Sequence, residues 1–167
     1  MGLMSFGKNA GKAIFGSKEE EERLEKEYEA KAAAQRERLA ELKKAAALRI
    51  RIKEMDLEIT DADIQVDGGT VTLKGKVDTQ ETAEKIALTC GNIEGVEAVD
   101  NQLEVENPEP EASFHTVERG DTLSAIAKKF YGKASKYPVI FEANKPMLTD
   151  PDKIYPGQVL RIPALDD

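Results

Sequence analysis

The chain has 167 residues, of which 34% are charged and 5% aromatic, and its formal net charge is −8. Nucleic acid and anionic lipid headgroups repel an acidic chain, so neither is expected as a partner. The one cysteine excludes an intrachain disulfide and a cysteine-based transition-metal site, and no run approaches the roughly 20 apolar residues that cross a bilayer.

The first predicted element is an N-terminal amphipathic segment, residues 1–17. A secretory signal needs an unbroken apolar core of about 7–15 residues, but Ser, Gly, Lys and Asn interrupt the apolar runs here. We therefore expect the segment to be retained and the protein to be cytoplasmic. The segment could dock on its own chain or lie on a membrane, and we favour docking because glycines weaken an isolated helix. Its apolar face consists of Leu3, Phe6, Ala10 and Ile14.

Residues 18–55 are predicted to form a long charged helix, because they lack Gly and Pro and are rich in Glu, Lys, Arg and Ala. Ser17 fits an N-cap, and the acidic start and basic end match the helix dipole. We expect most of this helix to be solvated. Its thin apolar stripe predicts a weak docking face or, alternatively, a coiled-coil seam: Leu24, Tyr28, Ala32, Leu39, Leu42, Ala46 and Ile50.

The first module, residues 56–106, begins with a hairpin signal, since apolar positions alternate on both sides of the turn at 67–70. Asp78-Thr79 caps a helix that Gly91-Asn92 ends, and a third strand follows. GGTVTLKGKV and IEGVEAVDNQLEV resemble the BON-domain family, a small bacterial module named for osmotic-shock proteins. The resemblance implies an αββαβ fold without catalytic residues. Cys90 is interpreted as a buried core residue.

Residues 107–112 predict a short, semi-stiff linker, because they include two prolines and two glutamates. The second module, residues 113–164, is predicted to have β-α-α-β order. Asp121 or Thr122 is expected to cap its first helix, whose inward face consists of Leu123, Ile126, Ala127 and Phe130. VERGDTLSAIA and IYPGQVLRIP resemble the LysM-domain family. His115 is interpreted as a strand residue, since one imidazole without companions is no transition-metal site.

In LysM relatives, N-acetylglucosamine polymers lie in a groove between the first strand–helix loop and the second helix–strand loop. The resemblance therefore implies a possible glycan or protein partner for this module. Alternatively, the same residues only set turns and helix caps. The residues at issue are Gly120, Asp121, Thr122, Leu123, Ile154 and Pro156.

The whole arrangement, with MGLMSFGKNAG at its start and FEANKPMLTDPDKIYPGQVLRIP near its end, resembles the family of bacterial cytoplasmic potassium-binding proteins. Its long helix is a departure from that family. The resemblance implies a K⁺ sensor in a stress response and no transition metal. Neutral carbonyl oxygens hold K⁺ well, and glycine permits the backbone shapes that expose them. The candidate carbonyl donors are Gly7, Ala10, Lys12, Gly91, Ile93 and Val96.

The predicted fold class is therefore α+β, with a long helix followed by the BON and LysM modules. The predicted function is monovalent-cation binding by a monomer, in which K⁺ joins the opening segment to both modules in one compact state. Glycan binding through the LysM module and a scaffold role for the long helix are the alternatives. No enzyme activity is expected, because the sequence lacks a nucleophile–base pair, a metal ligand set and a phosphate loop.

Overall fold

The computed structural model describes residues 17–165. The order of its helices and strands confirms the predicted α+β class and the order of the two modules. In chain order the elements are α1 (Lys18–Glu54), β1 (Thr60–Asp67), β2 (Thr70–Thr79), α2 (Gln80–Gly91), β3 (Ala98–Asn107), β4 (Ser113–Thr116), α3 (Leu123–Tyr131), a 3₁₀ turn (Ala134–Lys136), α4 (Tyr137–Ala143) and β5 (Val159–Ile162).

Helix α1 starts with a reciprocal cap. The Glu20 N–H donates to the Ser17 hydroxyl, and the Ser17 N–H donates to the Glu20 carboxylate, each at 3.3 Å. This capping box satisfies two N–H groups that the first helical turn leaves free. No helix within residues 17–165 is both long enough and apolar enough to span a membrane.

The predicted docking face of α1 was wrong. Leu24, Tyr28, Leu39, Leu42 and Ile50 are all exposed. The buried face is instead Ala45, Leu48 and Ile52, which join the core of the BON module. Both sets have helical spacing, so periodicity alone could not decide between them.

Contacts divide the chain after Ala40, and residues 41–165 lie in one compact unit that contains both modules. The BON sheet has the order β1-β2-β3, with β1 antiparallel to β2 and β3 parallel to it. The parallel pair is connected by α2, as a crossover connection requires. Gly75 has φ +136°, and a Cβ there would lie 2.8 Å from the Thr60 carbonyl oxygen, so this strand position requires glycine.

The LysM module is a two-stranded antiparallel sheet of β4 and β5 with α3 and α4 packed on it. Ile126, Ile140 and Leu160 are fully buried in its core. Phe130 was predicted on the inward face of α3, but its side chain is 38% exposed. Its ring instead contacts the His115 ring edge-on, with centroids 5.7 Å apart.

Candidate functional site

The candidate loop, residues 91–96, connects the end of α2 to β3. Asn92 is the C-cap of α2, and its N–H donates to the Leu88 and Cys90 carbonyls. The chain then turns, with the Val96 N–H donating to the Ile93 carbonyl at 3.1 Å. Gly95 lies in this turn with φ +76°, a left-handed conformation that favours glycine. The loop shape therefore follows from the helix end and from one glycine.

Two of the three predicted carbonyl donors in this loop have no hydrogen-bond donor among the described residues. These are the carbonyls of Gly91 and Val96. The Ile93 carbonyl accepts one bond, from Val96, and a carbonyl oxygen has a second lone pair. All three residues are partly exposed. The loop thus offers neutral main-chain oxygens of the kind that hold K⁺.

A cationic side chain contacts the same loop. The Lys44 ammonium, from the packed end of α1, donates to the Gly95 carbonyl at 2.9 Å. An ammonium group is a monovalent cation, so this contact indicates that a loop carbonyl accepts a positive charge. Sequence reasoning missed Lys44, because it lies 51 residues from Gly95 and no local pattern connects them.

Asn92 ties the candidate loop to the LysM module. Its side-chain amide accepts from the Val159 N–H at 2.8 Å and donates to the Val159 carbonyl at 3.0 Å. Asn144 bonds the N–H and carbonyl of Arg161 in the same way, each at 2.8 Å. The two side-chain amides thus make the hydrogen bonds along the free edge of β5 that the backbone of a third strand would make.

A buried ion pair forms the second connection between the modules. The Arg161 Nε donates to the Glu84 carboxylate at 2.6 Å, and the two side chains are 9% and 4% exposed. The other Glu84 oxygen accepts from the Ala112 N–H at 3.0 Å. The pKa of Glu81, beside this pair, is lowered mainly by the hydrogen bond from Lys85. Burial acts in the opposite direction, and the charges of Lys85 and Arg161 lower the pKa further. Because buried charges need partners, this contact fixes how the modules pack.

The predicted glycan groove includes residues with structural tasks. The Asp121 carboxylate accepts from the Glu118 N–H at 2.9 Å and lies 2.8 Å from the His115 Nε2. These two contacts, in that order, lower the pKa of Asp121. Thr122 caps α3, and Leu123 is buried. Gly120 and Pro156 are exposed and Ile154 is half-buried.

The remaining predicted donors, Gly7, Ala10 and Lys12, lie outside the described residues. Within residues 17–165, no group of three or more His, Cys, Asp or Glu side chains is placed to hold a metal ion. Cys90 is buried, and this burial raises the pKa of its thiol to about 12. Cys90 is therefore a core residue of α2.

Comparison with known proteins confirms both domain resemblances. The BON domain model matches residues 44–107, and the LysM domain model matches residues 115–163. The chain is 55% identical over 108 residues to the potassium binding protein Kbp of Escherichia coli O6:H1. The matched region covers 63% of this chain and 72% of that protein.

Two further relatives match a smaller share of their own length. An uncharacterised Deinococcus radiodurans protein is 32% identical over 113 residues, 61% of this chain and 44% of that protein. An esterase of Mycobacterium tuberculosis is 51% identical over 53 residues, 32% of this chain and 11% of the esterase. The esterase match therefore leaves most of that protein unmatched.

Proposed function

The chain belongs to the family of the potassium binding protein Kbp, and from this premise we propose that it binds K⁺ in the cytoplasm through main-chain carbonyl oxygens. The observation that carries the proposal is the 91–96 loop. The Gly91 and Val96 carbonyls receive no hydrogen bond from any described residue, and a lysine ammonium contacts Gly95 beside them. Neutral oxygens suit a large, weakly hydrated cation better than a carboxylate cluster does.

Each of two chain segments supplies part of the ion's coordination in this proposal. The loop contributes the carbonyls of Gly91, Ile93 and Val96, and the opening segment contributes those of Gly7, Ala10 and Lys12. The ion then binds only the state in which both segments gather around it. Such a ligand stabilises the compact state by mass action.

The LysM module takes part through Asn92, which lies between two of the proposed donors. Its side chain holds both polar groups of Val159, so a change in loop conformation alters a contact with β5. Linkage is reciprocal: if ion binding strengthens this contact, LysM docking strengthens ion binding by the same factor. The proposed output of the sensor is thus a change in the strength of the contact between the LysM module and the BON module.

We propose a binding role and no catalytic one. The two matched domains are a BON and a LysM domain, and a protein named for potassium binding shares most of its length with this chain. The esterase match covers 11% of that enzyme and gives no reason to transfer its activity.

Thermal unfolding of the full chain tests the proposal. At K⁺ about 100-fold above its Kd, the ion is expected to stabilise the fold by about 2.7 kcal/mol. For a chain of this size, that raises the melting temperature by about 5–10 °C. Sodium and choline chlorides at matched ionic strength are the controls and are expected to give a smaller increase. A variant lacking residues 1–16 is expected to lose the K⁺-specific rise in melting temperature. Equal melting temperatures in all three salts would contradict K⁺ binding.

Glycan binding by the LysM module is the second candidate. The BON contact uses Val159 and Arg161 and leaves Gly120, Tyr155 and Pro156 exposed, with Tyr155 at 64%. An exposed tyrosine beside the residues of the predicted groove offers an aromatic face on which a sugar can stack. In the same melting assay, stabilisation by N-acetylglucosamine oligomers in the absence of K⁺ would favour this candidate.

A further inference from the structure

An apolar stripe, interrupted at Gln35, runs along α1 without a partner among the described residues. Successive residues of a helix are about 100° apart, so the stripe occupies a sector of about 80°. Five of its side chains are large and apolar, and each is more than half exposed. A solvated helix does not need these side chains, and an exposed apolar surface of this extent marks an interaction site. The stripe consists of Leu24, Tyr28, Ala32, Leu39, Leu42, Ala46 and Ile50.

The stripe is separate from the face of α1 that packs in the BON core. That face consists of Ala45, Leu48 and Ile52, all buried. It is centred about 120° around the helix from the centre of the stripe. A second molecule can therefore cover the stripe while the BON core stays intact.

The charges of α1 are arranged with opposite signs at its two ends. Residues 18–30 contain seven glutamates and three basic residues, a net charge of −4, whereas residues 42–54 contain five basic residues and one glutamate, a net charge of +4. A parallel pair of such helices would place like charges together at both ends. An antiparallel pair would place opposite charges together at both ends.

We propose that α1 pairs with α1 of a second copy of this chain, in antiparallel orientation, along this stripe. One register aligns its outer positions: Leu24 faces Ile50 of the other copy, Tyr28 faces Ala46, and Ala32 faces Leu42, while Leu39 faces Gln35 at the centre. In two of these pairs a large residue meets alanine, as packed helical seams require. The same patch serves both copies, so the pair closes with two-fold symmetry.

The same register brings oppositely charged residues together at the two ends of the seam. It places Glu21 near Lys53 and Glu25 near Arg49 of the other copy. These pairs are exposed and contribute orientation more than affinity. This pairing differs from the monomer expected from the sequence, and the oligomeric state distinguishes the two.

Sedimentation equilibrium of the full chain, from low micromolar to near-millimolar protein, tests the pairing. The expected mass rises to twice that of the chain, both in KCl and in NaCl. A double variant at two exposed positions of the stripe, Leu39→Glu with Leu42→Glu, is expected to have the mass of a single chain. Its circular dichroism is expected to be unchanged. The matched control is Ala33→Glu with Ala40→Glu, which adds the same charge on the opposite face and is expected to remain dimeric. A single-chain mass for the unmodified protein at every concentration would overturn the proposal, as would an equal effect of the two double variants.

Cysteine cross-linking tests the orientation. Cys90 is fully buried and can stay in place. A mixture of the Tyr28→Cys and Ala46→Cys variants is expected to form a mixed disulfide dimer under mild oxidation. Tyr28→Cys alone is expected to remain uncross-linked, because two-fold antiparallel pairing keeps the two copies of residue 28 apart. Efficient cross-linking of Tyr28→Cys to itself would overturn the antiparallel arrangement.

Discussion

Replacing Arg161 with methionine is expected to destabilise the folded chain by about 3–5 kcal/mol. The substitution leaves the Glu84 carboxylate, 4% exposed, without the guanidinium that neutralises it. An unpaired buried charge costs far more than the pair itself contributes, because desolvation is no longer offset. Urea unfolding followed by circular dichroism measures the loss.

Two companion variants separate charge burial from the loss of an arginine side chain. Arg51 forms an exposed pair with Glu54 at 3.5 Å, and Arg51→Met is expected to cost less than about 1 kcal/mol. Combining Arg161→Met with Glu84→Met is expected to recover most of the lost stability, although the Ala112 N–H then loses its acceptor. If Arg161→Met cost no more than Arg51→Met, the ion pair would not hold the modules together.

Replacing Asn92 with alanine is expected to cost about 2–4 kcal/mol, from two hydrogen bonds whose partners remain partly buried and unpaired. Those partners are the N–H and the carbonyl of Val159 at the edge of β5. We also expect faster amide exchange in β5 and a smaller K⁺-specific rise in melting temperature. Urea unfolding and hydrogen exchange in KCl and NaCl measure these effects.

Asn101 supplies the matched control for this variant. It is exposed on β3, and within residues 17–165 its side-chain oxygen accepts only from the nearby Leu103 N–H, at 3.3 Å. Asn101→Ala is expected to change stability by less than about 0.5 kcal/mol. The Asn92→Ala protein could be destabilised and still show the same K⁺-specific rise in melting temperature as the unmodified chain. That result would show that Asn92 stabilises the fold but does not couple the LysM module to ion binding.

Local features of the fold were predictable from the sequence. Ser17 was predicted as a cap, and the other two caps were predicted as Asp78-Thr79 and as Asp121 or Thr122, because a cap depends on a side chain and an N–H only a few residues away. The structure shows that Thr79 and Thr122 are the capping residues. The sheet and helix order followed from alternation and helical spacing. The docked face of α1 was not predicted, because two stripes on one helix satisfied the same periodicity and only the packed sheet distinguishes them.

The contacts between the modules could not have been predicted. Glu84 and Arg161 are 77 residues apart, and Asn92 and Val159 are 67 apart, so neither pair leaves a mark in the local sequence. A carbonyl site is harder still, because main-chain oxygens belong to every residue. The family resemblance indicated which loop to consider. Only the structure shows which carbonyls of that loop receive no hydrogen bond from described residues, and that Lys44 contacts the loop.

The most direct test of the central claim is a KCl titration of the isotope-labelled full chain, followed by its amide and carbonyl-carbon NMR signals. We expect saturable shifts at Gly91, Ile93 and Val96, with much smaller shifts in NaCl at matched ionic strength. Signals of those three residues that do not move, or that move equally in the two salts, would contradict K⁺ binding by this loop.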